Sequence, residues 1–129
     1  MFILDTDTYI EISRGRDCVQ KRMAQAGISN CLISEISLAE LYMGFYKRKN
    51  PLEPLFTFLE KNITTVPISS AIKTYARIRT ELESIGMRLE DNDLFIAATA
   101  LVNNYTLVSH NTKHFSRIPG LKLEDWTQE

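Results

Sequence analysis

The chain has 129 residues, 44% hydrophobic and 24% charged, enough for one domain over residues 1–129 that buries roughly two-thirds of its unfolded surface. Its 15 basic and 16 acidic side chains leave a net charge of −1, which excludes the bulk attraction to nucleic acid that a strongly basic chain carries. No apolar run approaches the roughly 18 residues of a membrane-crossing helix and no basic, apolar leader is visible, so a cytoplasmic protein without membrane association is expected. Cys18 and Cys31 lack a metal-type spacing and read as reduced, packed thiols.

Phe2-Ile3-Leu4 is a short apolar run that ends in Asp5-Thr6-Asp7. Apolar residues on consecutive positions suit a strand buried on both faces, as inside a parallel sheet. Its acids then fall at the carboxyl end, the edge where open α/β sheets bind ligands. Asp7 or Thr8 is the expected cap of the next helix, with Thr8 and Glu11 as a capping box. Asp5 has no such ordinary explanation, because the end of a buried strand is a costly place for an unpaired charge.

Thr8 to Arg14 reads as a short helix stopped by Gly15, and Asp17 caps a second one running to Gly27, with Val19, Met23 and Ala26 inward. Cys31-Leu32-Ile33-Ser34 is a second buried strand. Ser37 opens a helix whose apolar stripe is Leu38, Leu41, Tyr42 and Phe45, with Glu40 beside it, and Ser37 and Glu40 have capping-box spacing. Lys47-Arg48-Lys49 is a basic cluster that suits a helix end. Asn50-Pro51-Leu52-Glu53 starts the next helix, with Leu52, Leu55, Phe56 and Leu59 inward, so residues 47–62 form a helical hairpin.

Thr64 to Ile68 is a short outer strand, since Pro67 donates no ladder hydrogen bond. Ser69 or Ser70 caps a long helix to Ile85, striped by Ile72, Tyr75, Ile78, Leu82 and Ile85 and stopped by Gly86. Asp91-Asn92-Asp93 opens an alanine-rich, apolar helix through Leu101 that reads as central and closely packed. Tyr105 to Ser109 is a strand, Asn111 to Phe115 a polar turn or single helical turn, and Leu121-Lys122-Leu123 the last strand. Strands alternating with helices predict an α/β sandwich with a parallel sheet.

Asp5 ends the first strand, Glu40 lies in the first turn of the helix after the second, and Asp93 begins the helix before the fourth. Such acids converge on one sheet edge, and without nearby Lys or Arg they repel one another unless a divalent cation neutralises them. An all-oxygen donor set suits Mg²⁺ or Mn²⁺ and points to metal-assisted phosphoryl transfer or hydrolysis.

These residues resemble PIN-domain ribonucleases, specifically the VapC-type toxins of bacterial toxin–antitoxin pairs. The likeness runs through Ile3-Leu4-Asp5-Thr6, through Ser37 to Gly44, through Asn92 to Ala100, and through Thr106 to Phe115 with Ile118-Pro119-Gly120-Leu121 and Glu124-Asp125-Trp126. The resemblance implies a PIN-like three-layer α/β/α sandwich around a mainly parallel sheet of about five strands. It implies that Asp5, Glu40 and Asp93 hold the catalytic Mg²⁺ or Mn²⁺, and that RNA is cut to leave a 5′-phosphate and a 3′-hydroxyl. Thr6 and Ser109 match polar positions near the metal, and Asn111 a residue of the same loop. It also implies a homodimer and a VapB-like antitoxin as partner. Asp7 stands where the family commonly has Asn. The family's fourth acid falls on His114, which either substitutes for it or is an exposed turn residue; Asp91 is the alternative acid. His110 reads as a loop residue.

Two other readings remain open on the sequence. Leu4-Asp5-Thr6-Asp7-Thr8 also fits haloacid-dehalogenase-type phosphatases, with Asp5 as nucleophile and Asp7 as acid and base. That reading needs a later lysine and a strand-borne acidic pair, whereas Gly86 to Glu90, ahead of Asp91, is mostly polar. The other is a non-catalytic PIN-like RNA- or protein-binding domain that has lost turnover through the change at His114.

Overall fold

A computed structural model of the protein describes residues 1–48 and 53–128. Its centre is set by apolar side chains on consecutive strand positions, which point to opposite faces and need cover on both. β1 (Phe2–Leu4) sends Ile3 to one face and Leu4 to the other; β2 (Cys31–Ser34) sends Leu32 one way and Cys31 and Ile33 the other. β4 (Thr106–Val108) repeats this with Leu107 and Val108. With the edge strands β3 (Thr64–Val66) and β5 (Lys122–Glu124) they form a five-stranded sheet in the order β3-β2-β1-β4-β5. Every pairing is parallel, with Ile3 opposite Leu32 on one side and Leu107 on the other.

Helices fill both outer layers. α1 (Thr6–Ser13), α2 (Asp17–Ala26), α3 (Glu35–Arg48) and α4 (Glu53–Asn62) bring Tyr9, Val19, Met23, Leu41, Phe56 and Leu59 onto the face of Leu4. α5 (Ile72–Ser84), α6 (Asp91–Asn103) and the single-turn α7 (Thr112–Phe115) cover the face of Ile3 through Ile78, Leu82, Ile96, Ala100 and Phe115. This is the three-layer α/β/α arrangement expected from the sequence. α6 is its most enclosed helix, buried from Ile96 through Ala100, as its alanine-rich composition implies. Both cysteines are free thiols. No helix of the described residues is long and apolar enough to cross a membrane.

Several helix starts differ from the sequence expectation, two of them for one reason. α1 begins at Thr6, two residues before Thr8, because Asp5 at the end of β1 already accepts from the Thr6 N–H at 2.8 Å. α3 begins at Glu35 rather than Ser37, because Ser34 Oγ accepts from the Ile36 and Ser37 N–H groups at 2.9 and 3.3 Å. In each case a residue that ends the strand or directly follows it meets the free helical N–H groups first. α2 follows Arg16, with Asp17 inside its first turn and paired to Lys21 at 3.0 Å rather than capping. Before α5, Ser69–Ala71 form a 3₁₀ turn, and neither serine caps the helix. Ile72 and Ile85 are 53% and 65% exposed, unlike the rest of the expected stripe. Six residues of α-helix turn Ile72 about 120° away from Ile78, and Ile85 lies past the last helical residue. Tyr42 sits at the exposed rim, stacked on Phe56 at 4.3 Å. The start of α4 expected at Asn50-Pro51-Leu52, with Lys49, lies outside the described residues.

The last strand is fastened by Trp126, which is 1% exposed, tilts against Phe2 at 5.5 Å, and donates Nε1–H to Glu124 Oε1 at 3.0 Å. Trp126→Ala is therefore expected to cost about 3–5 kcal/mol. Denaturant unfolding checks this, and a loss below about 1 kcal/mol would show that the β5 end is not part of the cooperative core.

Candidate metal centre

β1 connects on to β2 on one side, while its other neighbour β4 connects on to β5 on the other, so the chain leaves these two adjacent strands in opposite directions. The crevice at the carboxyl ends of its strands is where such sheets bind ligands. Asp5 and Ser109 stand there side by side. The ladder continues one step past each strand, with Asp5 N–H donating to Val108 O at 2.8 Å and Ser109 N–H to Glu124 O at 3.0 Å. Asp5 is 7% exposed; its Oδ1 accepts from the Thr6 N–H, and its Oδ2 accepts from Ser109 Oγ at 2.9 Å. Burial is the main force pushing its carboxyl up to about 7, with Asp7 and then Asp93 adding repulsion against the two hydrogen bonds.

Glu40 reaches the same edge from α3, one turn later in its helix than expected because α3 starts early. It does not close a capping box with Ser37, whose buried Oγ has no partner. Its Oε1 instead accepts from Thr6 Oγ1 at 2.8 Å, which fixes the carboxylate beside the Asp5 turn. Asp93 is the third residue of α6, where the helix N-terminus favours an acid. Burial and then Glu40 raise its pKa, His114 opposes them, and Glu90 and Asp7 add smaller upward shifts. Asp5, Glu40 and Asp93 thus come from separate elements into one electrostatic neighbourhood. Among the described residues, no three Asp, Glu, His or Cys side chains stand close enough together to hold an ion as they are. Uncompensated carboxylates repel, and such a group draws together only around positive charge.

The auxiliary candidates divide into two sets. Thr6 and Ser109 touch Glu40 and Asp5 directly, and the Asn111 N–H donates to Ser109 Oγ at 3.0 Å. The exposed ring of His114 meets Asn111, Nδ1 to Nδ2 at 3.2 Å, and acts on Asp93 only through charge. Asp91 faces elsewhere: its Oδ1 accepts from Tyr75 Oη at 2.7 Å and from Arg79 Nη1 at 2.8 Å. Tyr75 in turn stacks on Phe95 at 3.8 Å, so α5 ties down the start of the helix that carries Asp93. Asp7 is the residue whose place sequence reasoning missed. It is not a cap; its Oδ2 accepts from the His110 N–H at 3.1 Å and lies 3.2 Å from Ser109 Oγ. The available signal was its spacing of two from Asp5, on a helix that starts at once.

A groove of about 510 Å³ runs from the acidic edge between α1 and α3. Thr6 and Glu40 line its acidic end, and Arg14, Lys47 and Arg48 supply cations.

The PIN domain family model matches residues 2–121. The chain belongs to the PIN-domain family. Among its relatives, Ribonuclease VapC2 of Rickettsia felis is 36% identical over 132 residues, covering 98% of each chain. Among solved structures, VapBC2 from Rickettsia felis bound to a promoter DNA fragment superposes with a TM-score of 0.88 at 31% identity, over 97% of this chain and 98% of that one. DNA-bound VapBC from Salmonella typhimurium gives 0.86 at 31% identity, over 97% of both. In this PIN domain the residues ahead of Asp91 form no strand, so the strand-borne acidic pair that a haloacid-dehalogenase-type phosphatase requires is not there.

The donor set fits a hard divalent cation: carboxylates and hydroxyls, with the most buried acid kept partly protonated by burial first and by its acidic neighbours second. Native Asp5 holds a proton that the unfolded chain releases, so in EDTA stability falls as pH rises from about 4 to about 7, by up to about 4 kcal/mol. Asp5→Asn is expected to melt above the wild type at pH 8, with the difference shrinking toward pH 4. Thermal unfolding in EDTA across that range checks this, and a difference that does not change with pH would contradict it.

Proposed function

We propose that the protein is a Mg²⁺- or Mn²⁺-dependent endoribonuclease: a VapC-like cytoplasmic toxin that hydrolyses RNA phosphodiester bonds as a homodimer and is neutralised by a VapB-like antitoxin. The observation that carries the reading is the buried carboxyl of Asp5, without a cationic partner among the described residues, at the switch point of a PIN fold. It feels the charge of Asp93, as Asp93 feels that of Glu40. Relatives named as VapC ribonucleases, and neighbours solved as VapBC complexes, support the substrate class and the antitoxin.

Asp5, Glu40 and Asp93 would hold the ion, which when bound supplies positive charge to the phosphodiester and activates water. The chain's own residues prepare for it. Thr6 Oγ–H holds Glu40 in place, and Ser109 Oγ–H does the same for Asp5. Asp5 must shed its proton on loading, so cation binding strengthens as pH rises toward and past 7. Arg14, Lys47 and Arg48 give the groove beside Glu40 the cations to follow an RNA backbone, which a net charge of −1 does not otherwise provide. His114 has an exposed imidazole near Asp93 that can orient water or meet a phosphate, and Asn111 holds that ring. Asp91 belongs to the Arg79–Tyr75 tie and supports the position of Asp93.

Purified protein is expected to cut structured RNA with Mn²⁺ or Mg²⁺ and not with EDTA, and Asp5→Ala and Asp93→Ala each to lower the rate about a hundredfold or more. Gel analysis of cleavage products measures this. Equal cleavage by wild type and variants, or none by the metal-loaded wild type, would contradict the reading.

A further inference from the structure

We propose that Asp7 is an auxiliary carboxylate of the cation site, held against Ser109 and His110 so that its charge tightens divalent-cation binding; this rests on the metal-dependent reading above. Its geometry excludes the capping role, although the first turn of α1 favours its charge. Asp5 occupies the N-cap position of α1, and Asp7 caps nothing. Its side chain instead crosses to the segment after β4, where Oδ2 accepts from the His110 N–H at 3.1 Å.

Ser109 links the two acids. Its Oγ lies 2.9 Å from Asp5 Oδ2 and 3.2 Å from Asp7 Oδ2, and it accepts from the Asn111 N–H at 3.0 Å. A hydroxyl has one proton to give, so it satisfies one carboxylate at a time. Asp5 and Asp7 therefore compete for this one proton, while the Thr6 N–H serves Asp5 alone and the His110 N–H and the Thr8 hydroxyl, at 3.1 Å, serve Asp7.

The surrounding charge does not offset this. Among the described residues, the basic group nearest the Asp7 carboxylate is His110 Nδ1 at 4.0 Å, with side chains 29% and 34% exposed. Asp7 pushes up Asp5, where it is the second cause after burial, and also Asp93, where it is the smallest of the causes. An asparagine would keep an oxygen for the His110 N–H and remove the repulsion. The charge is thus a cost to the metal-free fold, and a nearby divalent cation offsets it. Local rules broken at a functional site carry this signature.

The discriminating variant is Asp7→Asn, which keeps the shape and removes the charge. Isothermal titration of Mn²⁺ into the full chain is expected to give about tenfold weaker binding than wild type. Thermal unfolding in EDTA is expected to give a melting temperature about 3 °C higher, because repulsion is relieved. Unchanged Mn²⁺ affinity overturns the proposal whatever the melting temperature does. Weaker binding with a lowered melting temperature also overturns it, since a lost structural tie then explains both. Asp93→Ala separates this from the wider reading. If wild type binds no Mn²⁺, or Asp93→Ala binds as well as wild type, the metal-dependent function itself fails and the role of Asp7 with it. If Asp93→Ala abolishes binding and Asp7→Asn does not weaken it, the Asp7 proposal alone fails.

Discussion

Asp5 cannot leave its position. β1 is paired on both sides, helices cover both its faces, and the bond from Asp5 N–H to Val108 O extends the ladder to the acid itself. A carboxyl fixed where water is scarce must find donors, a proton or a cation. The fold gives it the Thr6 N–H and the Ser109 hydroxyl, and then surrounds it with further acids. Two neutral donors do not outweigh burial and repulsion, which is why this carboxyl holds its proton to about pH 7. In the function proposed above, a divalent cation is what offsets that repulsion.

The rest of the structure makes that edge rigid. α6 is packed into the core from Ile96 to Ala100, so Asp93 at its start has little freedom to retreat from its neighbours. Arg79 and Tyr75 hold Asp91 on the far side of the same turn. Thr6, the first residue of α1, reaches across to Glu40 on α3 and joins the two helices that wall the cationic groove. Stability held in the apolar layers thus supports a local concentration of like charge that would otherwise spread apart.

The strands were legible because doubly buried strands write themselves as unbroken apolar runs, as at Phe2–Leu4 and Cys31–Ser34. Alternation with helices gave the parallel sheet, and Asp5, Glu40 and Asp93 stood out as acids at strand ends and helix starts. The sequence did not reveal that strand-end residues do the capping. Asp5 and Ser34 serve their own helices, which moves both starts upstream and frees Asp7 and Glu40 from capping. Capping chemistry is local and degenerate: Ser34 and Ser37 look equally able until the chain direction at the end of β2 is known. The exposure of Ile72 and Ile85 was hidden for a similar reason, since periodicity marks a face but not where the helix stops. The Asp91–Arg79 pair joins residues on separate helices, and nothing in the local pattern announces it.

Anomalous diffraction from a crystal of the protein soaked in Mn²⁺ tests the central claim most directly. A Mn²⁺ peak is expected in contact with Asp5 and Asp93, close to Glu40, and is expected to disappear in Asp5→Ala. A well-diffracting crystal with no peak at the carboxyl edge of β1, or with Mn²⁺ bound only elsewhere, would contradict it.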